Sequence, residues 1–478
     1  MGPRVSVMKV VAMSERANRL PRAAGCALGW GVVCVTAIWL MPPAIAQGGA
    51  SGAAGVVVDA QGVLRTQVAP DAGLSIEQRR AAVAALPGDL KRATPLRKVA
   101  LRRLEAEVAK AVTAGRGIPE EFLKLAGLTR VQYVFVYPAD GDAAGEIVIA
   151  GPAEPWITDA TGRVRGVESG NPTVLLEDLA AVLRCFPPGQ PQDPLIGCSI
   201  DPRAEGLAAM QKFLAQTGRV NPEAGVDAIV RGLRESLGPQ TVSVQGVSPA
   251  THFAHVMVEA DYRMKLIGIG LERPPVQMKS WIELAAFGSV AANALQRWFF
   301  VPEYQCVRIS EDDLAIELVG RGVKLCCADE VVLPNGRRMA ADNASGSAKQ
   351  YAETFTRKYP EIAAQSPVYA QLRTLIDLAV AAAYMQEFDA YGKASWKVET
   401  LLSEQAFPIQ RLPRPAEVEP VINAVWRGNR LLTPIGGGVT MHPRMALDPP
   451  SLLMDEKGHV GAARTAARDL PVGKWWWD

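Results

Sequence analysis

The chain has 478 residues, 49% hydrophobic and 21% charged, with 43 Gly, 35 Pro and a formal net charge of +2. This is ordinary globular usage, and it excludes wholesale disorder, a collagen-like repeat and a heptad rod as descriptions of the whole. The positive excess lies at the front: residues 1–46 hold five of the 51 basic residues and one of the 49 acidic ones, leaving 46 against 48 beyond them, so the charge gives no specific nucleic-acid signal.

In residues 1–46, Arg4, Lys9, Arg16, Arg19 and Arg22 stand against Glu15, an apolar run extends from Ala23 to Met41, and Pro42-Pro43-Ala44-Ile45-Ala46 follows. A basic, then apolar, then small-residue order predicts a signal peptide cut after Ala46, and hence a periplasmic or extracellular protein with no transmembrane span after cleavage. The alternative is an uncleaved N-terminal anchor, for which an apolar run of this length suffices. Residues 47–55, rich in Gly and Ala, read as a flexible tether.

Val56–Asp59 and Val63–Val68 predict a hairpin, and Ser75 with Gln78 has capping-box spacing for a helix through Leu86. Thr94-Pro95 predicts the start of a second helix ending at Gly115, with Leu101, Leu104, Val108, Ala111 and Val112 as its apolar stripe. Val131–Tyr137 with Glu146–Ala150, and Ile157–Val167, predict two further hairpins. Asp59-Ala-Gln-Gly62, Asp159-Ala-Thr-Gly162 and Asp455-Glu-Lys-Gly458 share one tight-turn pattern, in which the Asp side chain caps the following amides and the Gly accepts positive φ.

Val174–Arg184, Pro202–Gln216 and Pro222–Leu237 read as helices and Thr241–Val247 as a strand. Trp298–Val301, Tyr304–Ile309, Ala315–Val319 and Val323–Cys327 predict an antiparallel meander, and Pro367–Tyr391 the longest helix. A Pro-rich stretch, Pro408–Pro420, leads to the strand candidate Val421–Leu432 and to Gly436-Gly437-Gly438, after which order is expected to decline. The predicted class is α+β, with antiparallel hairpins and a meander interspersed with helix pairs and one long C-terminal helix. The regions expected are an N-terminal α+β region at 56–238, a central and C-terminal α+β domain at 239–407, and a Pro/Gly-rich extension with a short strand at 408–478.

Three groups of residues could carry chemistry. If Ser248-Pro249 starts a helix, His252, His255 and Glu259 fall on one face at i, i+3 and i+7, a spacing that can hold a divalent metal; as a strand the histidines would part. Arg97, Lys98, Arg102 and Arg103 lie in a locally basic segment that suits an anionic partner, or else form a solvated helix face. Cys185 and Cys198 could close a disulfide loop in an oxidising compartment, or remain buried thiols. The terminal Lys474-Trp475-Trp476-Trp477-Asp478 could dock on a membrane or partner, tuck onto its own domain, or hang loose. No phosphate loop, esterase elbow or zinc-protease motif is present, and the sequence requires no cofactor.

The segments Cys198–Ala215 (CSIDPRAEGLAAMQKFLA), Glu259–Val276 (EADYRMKLIGIGLERPPV), Arg297–Ser310 (RWFFVPEYQCVRIS) and Ser366–Gln386 (SPVYAQLRTLIDLAVAAAYMQ) carry a resemblance. The chain resembles, from Val56 to Thr440, a domain-of-unknown-function family of exported proteins found chiefly in planctomycete bacteria. The resemblance implies an exported protein without established activity, and no functional residue carries over from it. The function expected is a non-catalytic binding or envelope-organising protein whose partner is an envelope protein or an anionic polymer. The alternative is a metal-dependent hydrolase using His252, His255 and Glu259.

Overall fold

Strands from both ends of the sequence assemble into two large mixed sheets, which makes the architecture α+β. The computed structural model describes residues 56–478 except 60, 67–74, 142, 191–192, 218–225, 286–293, 333–337, 341–345, 424, 428–429 and 433–435; the expected signal peptide and tether lie outside the described residues. The nine-stranded sheet runs in the order Val56–Val58, Val63–Thr66, Glu417–Val418, Gln240–Gln245, Ile196–Asp201, Gly437–Met441, Ala294–Pro302, Val323–Val332 and Arg338–Ala340. The seven-stranded sheet runs Leu453–Met454, Val307–Ile309, Ala315–Leu318, Tyr133–Tyr137, Glu146–Ala153, Thr94–Ala100 and Trp476–Trp477.

Local chemistry accounts for several elements. Ser75 caps the helix Ile76–Ala85 through a capping box, its Oγ accepting from Gln78 N (3.1 Å) while Gln78 Oε1 accepts from Ser75 N (2.9 Å). At Asp59 and Asp159 the shared turn pattern builds hairpins, each Asp Oδ1 accepting two backbone amides, with Gly62 at φ +81 and Gly162 at φ +83. Asp455 makes the same turn, but its carboxylate then accepts from His459 N (2.8 Å) and Val460 N (2.7 Å). It therefore starts the helix His459–Ala466 rather than closing a hairpin.

The expected helix from Thr94 is strand over Thr94–Ala100 and helix only over Leu101–Thr113. The strand has partners on both edges, Glu146–Ala153 and Trp476–Trp477, and this pairing overrides the helix-start signal of Thr94-Pro95. The expected meander is likewise divided. Ala294–Pro302 pairs with Val323–Val332 in the first sheet, while Val307–Ile309 and Ala315–Leu318 pair with each other and reach Tyr133–Tyr137 in the second. Alternation along a strand reports its buried face, not its neighbour.

Beyond Gly436 the chain is ordered, contrary to expectation. Gly437–Met441 lies inside the nine-stranded sheet, antiparallel to Ile196–Asp201 and parallel to Ala294–Pro302. Its glycines permit close approach: a Cβ on Gly438 would strike Cys198 O, and one on Gly437 would lie 2.7 Å from Lys265 Cε and 2.8 Å from Asp261 Oδ1. The longest described helix, Pro367–Glu387, is buried nearly all round, and it is interior to the sequence rather than C-terminal, the last described helix being His459–Ala466. It packs against the helix His252–Gly268, hereafter the hub helix, which also contacts Ile196–Asp201 and Gly437–Met441. Among the described residues no helix is long and apolar enough to cross a membrane.

Candidate functional site

The Ser248-Pro249 region does open a helix, with Thr251 as N-cap; its Oγ1 accepts from Ala254 N (3.3 Å). Fourteen of the 17 hub-helix residues are buried, among them His255, Glu259, Asp261 and Lys265. A charged group taken out of water is stable only with a partner, so each of these must be paired inside the protein.

On one side of the hub helix the partners form a continuous chain. His252 Nδ1 lies 2.9 Å from Asp178 Oδ2, and its Nε2 lies 3.1 Å from Gln371 Nε2. Arg163, just past the Asp159 turn, donates to Gln371 Oε1 and reaches both oxygens of Glu259 at 2.6 Å. Arginine has only donors, so the carbonyl oxygen of Gln371 faces Arg163 and its amide faces His252. That orientation assigns the proton of His252 to Nδ1, pointing at Asp178, and leaves Nε2 as the acceptor. Arg263 Nη1 donates to Glu259 (3.4 Å), and its Nε and Nη2 donate to Glu272 at 2.9 and 2.7 Å. Burial pushes the Glu259 carboxyl above its ordinary range, opposed by the charges of Arg163 and Arg263.

His255 turns elsewhere. Its Nε2 lies 2.8 Å from the Pro413 carbonyl and so donates to it, and burial pulls the imidazole down to about 4, which keeps it neutral. His252, His255 and Glu259 thus share a helix but meet different partners, and among the described residues no group of three His, Cys, Asp or Glu side chains is arranged to hold a metal ion.

The other side of the hub helix carries Asp261 and Lys265, four residues apart, with Lys265 Nζ donating to Asp261 Oδ2 (2.8 Å) and Ile200 O (3.3 Å). Burial pushes Asp261 up to about 6, against the pull of Lys265. The adjoining cavity, lined by Lys265, Gln240, Tyr262 and Trp298 among others, leaves about 10 Å³ for the centre of a water molecule, roughly the room one water needs.

The basic group is also turned inward. Arg97 is fully buried and pairs with Asp478, while Lys98 lies 6.0 Å from the Trp477 ring, its ammonium pulled down by burial against the opposing charge of Asp478. Arg102 Nε donates to Gly145 O (2.8 Å), and Arg103 Nη1 donates to the carbonyls of Pro471 (2.6 Å) and Lys474 (3.0 Å). The Trp-rich tail therefore tucks onto its own sheet. Cys185 and Cys198 are both buried free thiols; Cys185 donates to Gly246 O (3.2 Å), and burial pushes its thiol up to about 11.

Arg163, Asp178 and Asp478 carry these arrangements, yet no motif around them signalled it. Each meets its partner across 96, 74 and 381 residues of sequence, respectively.

The fold and site define an α+β protein organised round a buried, charge-bearing helix. Residues 198–281 of it match the model of a family described as protein of unknown function (DUF1598). That span includes the hub helix and most of the Ile196–Asp201 strand beneath it, while Arg163, Asp178 and Gln371 lie outside it. Among curated proteins and among solved structures, nothing matches the chain.

Proposed function

We propose that the chain is a non-catalytic protein of the cell envelope, exported on residues 1–46, that works by binding an envelope protein or an anionic envelope polymer. One observation carries the non-catalytic part: the ionisable side chains of the hub helix, the strongest candidates for chemistry, are engaged by internal partners, with Arg163 on Glu259 at 2.6 Å and Asp178 on His252 at 2.9 Å. A general acid, base or metal ligand needs an open position beside it, and the cavity at Lys265 has room for about one water. The basic-apolar-small order of residues 1–46 supports export.

Cell fractionation followed by N-terminal sequencing tests this reading. A mature protein beginning at Gln47 in the periplasmic or extracellular fraction is expected. A soluble cytoplasmic protein still carrying residues 1–46 would overturn it.

A further inference from the structure

Arg163 ties the Asp159–Gly162 turn to the interior. Its backbone carbonyl accepts from Asp159 N (2.9 Å) and its amide donates to Asp159 Oδ1 (3.1 Å), while its side chain, 5% exposed, runs inward to Glu259 and Gln371. From there the hydrogen bonds run in one direction. Arg163 donates to Gln371 Oε1, Gln371 Nε2 donates to His252 Nε2 (3.1 Å), and His252 Nδ1 donates to Asp178 Oδ2 (2.9 Å). A guanidinium at one end, which only donates, and a carboxylate at the other, which only accepts, fix that polarity.

Such a chain accommodates one imidazole proton. A second, on Nε2, would face the N–H groups of the Gln371 amide, donor against donor. Asp178 holds the ring from the opposite side, so the amide is the part that turns. Turned over, it offers its oxygen to His252 and its NH2 group to Arg163, which loses Gln371 as an acceptor. The surroundings favour that second proton. Asp178 and Glu177 face His252 from the helix Leu176–Cys185, Arg163 from the turn, and His255 from the hub helix; Lys124 acts on Glu177, and Glu259 is held by Arg163. The segment 410–414 contributes backbone groups, Gln410 N to Glu177 and Pro413 O to His255, and its Arg411 and Arg414 are exposed. Burial opposes a charged imidazole, but the two carboxylates outweigh it and raise His252 above its ordinary value.

We propose that Arg163, Gln371 and His252 form an acid-released latch: a second proton on His252 turns the Gln371 amide over, and the Asp159–Gly162 turn loses an interior anchor. The opening is local. Protonated His252 binds Asp178 more strongly, so the fold as a whole gains from the proton while the turn loosens. The latch acts on the hairpin of Trp156–Thr158 and Val164–Gly166, against which the helix Ile76–Ala85 packs. It is independent of what the protein binds.

The test follows two signals in the full chain from about pH 8 to about pH 5.5, a window above the ordinary carboxylate range. One is the imidazole titration of His252 in protein labelled with ¹⁵N at histidine, assigned by its loss in His252→Gln. The other is hydrogen exchange of the turn amides, corrected for the pH dependence of the intrinsic rate. Turn protection in the parent is expected to fall by about tenfold, in step with His252, as a buried hydrogen bond from a charged group is lost. In Gln371→Glu the carboxylate accepts from both Arg163 and protonated His252, so protection should stay level across the window. A parent whose His252 titrates without any change at the turn, or does not titrate above about pH 5.5, would overturn the proposal. So would a Gln371→Glu turn that loosens as the parent's does. Should that variant not fold, His252→Gln decides in its place: level protection supports the latch, and loosening in acid contradicts it.

Discussion

Asp478 grips Arg97 along the Nε–Nη2 edge of the guanidinium, at 2.7 and 3.0 Å, although 381 residues of sequence separate them. The arginine is fully buried, while the aspartate is 41% exposed, so removing the carboxylate leaves a buried charge with two backbone carbonyls as its remaining partners. Partial exposure of Asp478 softens the effect, and Asp478→Asn is expected to cost about 2 kcal/mol in urea unfolding. A change within about 0.3 kcal/mol would show that the Asp478 carboxylate contributes nothing to the fold.

His255 gives the stability a measurable pH dependence. Its folded-state pKa, about 4, lies below the ordinary value of 6.5, so the unfolded chain binds the proton more readily. The stability associated with neutral His255 is therefore present above pH 6.5 and lost as pH falls toward 4, by up to about 3 kcal/mol. Buried carboxyls such as Asp261, raised to about 6, act in the opposite sense and lose their contribution as pH rises. The informative quantity is thus the difference between His255→Gln and the parent chain, measured from pH 8 to pH 4. The parent should lose ground to the variant by about 2–3 kcal/mol across that range, and parallel curves would contradict the assignment.

Gly437 and Gly461 predict opposite outcomes for the same substitution. A methyl group on Gly437 would press on Lys265 Cε and Asp261 Oδ1 inside the sheet, whereas at Gly461, in the helix His459–Ala466, nothing lies within 4 Å. Gly437→Ala is expected to lower stability by about 2–3 kcal/mol. Gly461→Ala should raise it by about 0.5 kcal/mol through helix propensity. Paired thermal melts check both signs.

Features encoded within a few residues were legible in the sequence. The Ser75 and Gln78 capping box is formed, and the Asp59 and Asp159 turns close hairpins. The same pattern at Asp455 opens a helix, because the Asp455 carboxylate accepts the amides of His459 and Val460 and the helix they begin packs on the strand Ala315–Leu318. What was not legible depends on distant partners. Gly437–Met441 looks like a flexible glycine tract until the strands on either side show that only glycine lets the backbones meet. The hub-helix face at His252, His255 and Glu259 was visible as a face, but not that Asp178, Gln371, Arg163 and Pro413 would occupy it.

The account stands on the claim that the charges of the hub helix serve the fold, and the Arg163–Glu259 pair tests it most directly. Both side chains are at most 5% exposed, so Glu259→Gln should leave Arg163 inadequately neutralised and cost about 3–5 kcal/mol in urea unfolding. Combining it with Arg163→Met should recover part of that loss. A Glu259→Gln protein as stable as its parent, or more so, would contradict the claim, since residues kept for chemistry at the expense of stability behave that way when replaced.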